Sequence, residues 1–229
     1  LAEGRSAFDA SQNALARQDY ERAIALAPDC APAWAGIAHA HALDGLLDFD
    51  LDYEAAMDRA LTVAREACWI GPLDGKGARI LAHVLSLRGE ATAALDAFDR
   101  AEPLAAGNAD FHVMRSMAQA LAGRAEAADT SRRAGAALSP ELPGWHARHA
   151  GLVAYHRGAY AETVAWIAPV VARVGASPRA RLPLAAALAR LGRREEAERA
   201  LAPALTSDSP PLLPANAPTA LGTTAAGAR

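Results

Sequence analysis

Lysine is almost missing from this 229-residue chain: Lys76 is the only one, and arginine supplies every other long basic side chain. We read that imbalance as a bias of genomic composition. Aromatic residues make up only 5%, so large, rigid anchors for a partner are few. Cysteine is scarce too. Cys30 and Cys68 are isolated thiols without metal-ligand spacing, which leads us to expect a reduced, cytoplasmic setting. No apolar run approaches the roughly 20 residues that cross a bilayer, and no charged-then-apolar export signal opens the chain. It starts at Leu1 rather than at methionine, as a piece of a longer polypeptide would. The net charge of −3 excludes the overall basic field that gathers nucleic acid or acidic membrane.

Motifs that carry chemistry are equally sparse. "GPLDGKGAR", residues 71–79, is the nearest approach to a phosphate-binding loop, but it lacks the glycine spacing and the Ser/Thr after the lysine. No Gly-x-Ser-x-Gly elbow is present. In "HARHAGLVAYH", His146 and His149 share a helix face, while His156 lies about 15 Å further along the axis at 1.5 Å per residue. Two ligands from one face, with no nearby cysteine or acid, make a poor zinc site, and we read these histidines as structural or surface residues. His39 and His41 point to different sides of their helix. "DFDLD", residues 48–52, lacks the glycine and closing glutamate of a calcium loop, and Glu195 with Glu196 reads as solvated charge. We therefore expect no enzyme, no metal and no cofactor.

What the chain has is alanine, roughly a quarter of its residues, which favours helix and lets helices approach closely. It also has a period. "LRGEATAALDAF", "LAGRAEAADTSR", "HRGAYAETVAWI" and "LGRREEAERAL" align on Gly89, Gly123, Gly158 and Gly192, at intervals of 34, 35 and 34 residues. Five positions after each glycine stands a small residue: Ala94, Ala128, Thr163 and Ala197. Earlier copies keep the second-helix half, with Ala16, Tyr20, Ala23 and Pro28, then Ala60, Ala64, Ala67 and Pro72. Each of those prolines falls just past its helix, where it stops continuation without costing an internal hydrogen bond. Trp34 takes an early large-apolar position in the second copy. "DGLLDFDLDYEA", residues 44–55, exceeds the period by about ten residues, and we expect an extended helix or an inserted loop there.

A helix–turn–helix unit repeating every 34 residues resembles the tetratricopeptide repeat (TPR). The resemblance implies an all-α, right-handed superhelical solenoid of about six antiparallel helix pairs over residues 1–205, the first pair truncated at its start. One pair cannot bury its apolar face alone, so stacked neighbours do it together. Residues 206–229, rich in proline and small polar side chains, read as a linker or tail. More narrowly, "LAAALARLGRREEAERAL", "HRGAYAETVAWI" and "DYERAIALAPDCAPAWAGIAHAHAL" resemble the C-terminal TPR regions of bacterial class III nucleotide cyclases and of related winged-helix regulators. No cyclase catalytic segment accompanies them here, so the likeness implies a regulatory or interaction module.

In such arrays the first helix of each pair lines a concave groove. Counting from the turn glycines, the resemblance assigns to that groove His39 in the second copy, Lys76, Arg79, His83 and Ser86 in the third, and Asp110 and Met117 in the fourth. Trp145, Arg148 and Tyr155 follow in the fifth, and Arg179 in the sixth. Trp145 and Tyr155 are the expected apolar anchors, and Lys76, Arg79, Arg148 and Arg179 the charge-pairing residues. A basic-biased groove suits an acidic protein or peptide segment. The asparagine and lysine pairs of the carboxylate clamp are absent. A peptide or small-molecule sensor and a homo-oligomerisation module are the alternatives; no nucleic acid and no membrane are expected as partners.

Overall fold

A computed structural model describes residues 10–46, 52–139, 144–172 and 181–205. They form eleven α-helices and, among the described residues, no strand: α1 (Ala10–Leu26), α2 (Ala31–Leu46), α3 (Tyr53–Ile70), α4 (Gly75–Leu87), α5 (Ala91–Ala105) and α6 (Ala109–Leu121), then α7 (Ala125–Leu138), α8 (Gly144–His156), α9 (Tyr160–Val171), α10 (Arg181–Arg190) and α11 (Arg194–Leu205). From α2 onward they pack as five antiparallel pairs, α2/α3 to α10/α11, with α1 laid against α2 as the second helix of a leading copy. The tail expected over 206–229 and the aspartates at 48 and 50 lie outside the described residues. The extra length near Asp44 is partly helical, since α2 runs on to Leu46 before α3 begins at Tyr53.

The turns explain the period. Gly89, Gly123, Gly158 and Gly192 all have positive φ, between 74° and 78°, a region that side chains with a Cβ rarely adopt. At each, two reversed hydrogen bonds close the first helix. The Gly89 amide donates to the Ser86 carbonyl and the Glu90 amide to Leu85, both at 3.0 Å, and the other three turns repeat that pattern. This double bond satisfies carbonyls that the helix end leaves open, and the left-handed glycine is what permits it. Helix starts are coded as well. Asp52 caps Ala55 at 2.9 Å, Asp74 caps Gly77 at 2.8 Å, and Asn108 caps Phe111 at 3.1 Å.

Each pair closes on its small residue: Ala94, Ala128, Thr163 and Ala197 are all fully buried. Thr163 fits by turning its hydroxyl onto the Ala159 carbonyl at 3.3 Å. In α8, Gly151 lies so near α9 that an added Cβ would fall 2.4 Å from Ile167 Cγ1. Phe98 and Phe111 meet edge to face, with centroids 5.6 Å apart, in a core that runs from Ala38 to Ala118. Polar ties join the copies. Tyr53 donates to the Leu87 carbonyl at 2.7 Å, and Asp44 accepts from Asn13 and Arg17 at 2.6 and 2.7 Å.

From one pair to the next, first helix touches first helix: α2 on α4, α4 on α6, α6 on α8 and α8 on α10, while each second helix packs on the first helix that follows it. The row of first helices is therefore the short rim of the stack, and its free side is the concave face.

Candidate binding face on the first helices

The concave face carries charge at its centre. Asp110, in the first turn of α6, faces both flanking first helices: Arg79 Nη1 of α4 lies 3.7 Å from one carboxylate oxygen, and His146 Nε2 of α8 donates to the other at 3.2 Å. The His146 hydrogen bond, with Arg79 beside it, holds the Asp110 carboxyl below its ordinary range. Arg79 also reaches Met114 Sδ at 3.4 Å and is only 9% exposed.

Three more histidines gather round this pair. His83 of α4 and His149 of α8 bring their ring centroids within 5.6 Å, and both are nearly sealed from solvent at 3% and 2% exposure. His149 Nδ1 donates to the Trp145 carbonyl at 3.0 Å, and the Trp145 indole sits edge-on to the His149 ring at 5.2 Å. Neither His83 Nδ1 nor His149 Nε2 meets a hydrogen-bond partner in the protein. Burial is the main force on all three rings. It pushes His149 down to about 3, with Arg148 adding to the effect, and His39 down to about 4, with Arg79 adding. His83 is likewise driven well below the ordinary value, by burial first and then by His149 and its other cationic neighbours. The inner layer is thus a neutral imidazole cluster between two arginines.

The expected groove residues divide by exposure. Lys76, His39, Trp145 and Arg148 keep part of their surface open. Lys76 Nζ donates to the Pro32 carbonyl at 3.0 Å and lies 4.7 Å above the Tyr20 ring, which joins the leading copy to the third. Arg79, His83, Ser86, Met117 and Tyr155 are buried. Neighbouring first helices cover the positions that the repeat register assigns to open groove. Tyr155, expected as an open anchor, packs on Ala186 and Ala187 of α10 and edge to face on Tyr160 at 5.5 Å. Met117 belongs to the main core. Arg179 lies outside the described residues. His146 and His149, read from sequence as structural or surface residues, stand at the centre of the face; the signal was their three-residue spacing on one helix side.

A second surface escaped the sequence reading. Leu26, Trp69, Leu73, Leu104 and Leu138 are exposed, Trp69 at 79% and Leu73 at 82%, and all stand where a second helix hands over to the next first helix. Among the described residues no group of three or more metal-ligating side chains assembles, and no helix is long and apolar enough to cross a membrane.

No family model matches the chain, and no curated protein matches it. Solved structures do resemble it. An alignment with the APC/C hetero-tetramer Cut9-Hcn1 has a TM-score of 0.61 at 17% identity and covers 85% of this chain and 36% of that one. The chain thus spans about a third of that protein's length. A thermophilic TPR protein of Thermus thermophilus aligns at TM-score 0.56 and 20% identity, over 74% of this chain and 91% of that one. A TPR protein of Parabacteroides merdae aligns at 0.52 and 12%, over 87% and 75%. Together with the repeated helix pairs and their glycine turns, these likenesses give the chain the fold of tetratricopeptide-repeat proteins, an all-α solenoid.

Proposed function

We propose that the chain is a non-enzymatic protein-interaction module that receives an acidic segment of a partner protein on its concave face. The observation that carries this reading is the charge balance there. Lys76 and Arg79 on α4 and Arg148 on α8 give this face a basic bias, and Asp110 between those helices is already engaged by Arg79 and His146. A partner's Asp or Glu side chains would complement that basic bias, and the half-open Trp145 would supply apolar contact at the same place. The likeness of three sequence stretches to class III cyclase and winged-helix regulator arrays supports a regulatory part of a larger bacterial, cytoplasmic polypeptide.

The test compares the chain with a Lys76→Glu/Arg148→Glu variant as paired baits in extract of the native cell, with circular dichroism confirming equal helix content. A protein captured by the wild type, released by moderate salt and lost with the variant, supports the reading. Identical capture by both baits overturns it.

A further inference from the structure

We propose that the His83–His149 ring pair is an acid-released latch that holds the concave face shut across α6. The inference rests on the proposed function only for its consequence, a gated receiving face; the latch itself is a matter of shape.

The two rings belong to pairs that are not neighbours. His83 is on α4 and His149 on α8, with the α6/α7 pair between them, yet their centroids are 5.6 Å apart. First helices two copies apart thus meet over the inner side of α6, where an open groove would leave a gap. The groups facing the rings come from every helix around them: His39 from α2, Arg79 from α4, Asp110 from α6, and His146 and Arg148 from α8. Asp110 is the one carboxylate among them, and it is committed to Arg79 and His146.

The closed arrangement therefore accepts only neutral rings. His149 uses its Nδ1–H on the Trp145 carbonyl, so an added proton goes to Nε2, which faces no acceptor; His83 Nδ1 likewise faces none. A cation at either atom would be desolvated and beside guanidinium groups, with the nearby Asp110 carboxylate already committed to Arg79 and His146. Moving α8 away from α4 returns both rings to water and to the ordinary histidine value. Below about pH 6.5, each further unit then favours the open form by up to tenfold per histidine, until the closed-state value is reached. Opening uncovers Arg79 as well, so an acidic segment and protons favour the same open form.

Small-angle X-ray scattering of the full chain from pH 7.5 to 4.5, with circular dichroism on the same samples, tests the latch. The expected result is a radius of gyration that grows on acidification while helix content holds, and that becomes independent of pH in a His83→Gln/His149→Gln variant. Equal growth in wild type and variant overturns the proposal, as does a constant wild-type radius or growth that accompanies loss of helix. Should the variant fail to fold, ring titration of the wild type by NMR decides. His83 and His149 taking up protons together with the expansion supports the latch, and separate titration near pH 6.5 in an unchanged shape overturns it. None of these readouts involves a partner, so the latch can fail while the binding reading stands.

Discussion

Asp110 accepts a hydrogen bond from His146 at 3.2 Å, and through its other oxygen lies 3.7 Å from Arg79, so one carboxylate on α6 ties α4 to α8. Both partners are buried while the Asp110 side chain is 39% exposed, and that exposure tempers the loss. Asp110→Ala is expected to cost about 1–2 kcal/mol in urea denaturation at pH 7, because it strands a guanidinium and an imidazole N–H. Asp58→Ala, which removes a carboxylate from the exposed Arg88 network, should cost about 0.5 kcal/mol or less. Equal effects would show that the inner contact is no more than a surface pair.

Acid should destabilise the array well before carboxylates titrate. His39, His83 and His149 have folded-state values below the unfolded 6.5, so between that value and the folded one the unfolded chain binds more protons. Stability from these rings is fully present above about pH 6.5 and is lost as pH falls through the folded-state values, about 4 for His39 and about 3 for His149. The slope is at most about 1.4 kcal/mol per pH unit for each ring. Urea midpoints at pH 7 and pH 5 measure it, and His149→Gln should flatten the difference.

Two glycines with equally open surroundings should respond in opposite ways. An added Cβ meets nothing within 4 Å at either Gly123 or Gly107, but only Gly123 has positive φ, 74°. Gly123→Ala is expected to cost about 1 kcal/mol through backbone strain alone. Gly107→Ala should be neutral or slightly stabilising, since it narrows the unfolded ensemble. Thermal melts of the two variants make the comparison.

Close packing of α8 on α9 predicts coupling between Gly151 and Ile167. Gly151→Ala forces a methyl into the Ile167 side chain and should cost about 1–3 kcal/mol. Ile167→Ala alone opens a cavity and should cost about 2–5 kcal/mol. The double variant should lose less than the two losses added, because each change relieves the other; strict additivity in a double-mutant cycle would contradict the contact.

The repeat was legible in the sequence because its signals are local. Gly89, Gly123, Gly158 and Gly192 each close a helix through bonds to residues within five positions, and Ala94, Ala128 and Ala197 stand at a fixed five-residue offset from them, each fully buried. The centre of the candidate face was only half legible. Lys76, Arg79 and Arg148 follow from counting along the period, but their burial depends on how tightly successive first helices stack, which no single repeat encodes. His83 meets His149 from two copies away, and Tyr155 is covered by α10 from the following pair. The exposed row of Leu26, Trp69, Leu73, Leu104 and Leu138 was missed for the opposite reason. A large apolar residue at the end of an amphipathic helix looks like core until the neighbouring turn is seen to leave it uncovered.

Helix-pair arrays ordinarily melt as linear chains of units, each coupled only to the next, so that ends fray while the middle holds. A contact between α4 and α8 adds a term between second neighbours. The three central pairs then share one cooperative transition, and hydrogen exchange in α4 to α9 should report a single opening free energy, while α1, α10 and α11 exchange by separate, shallower openings.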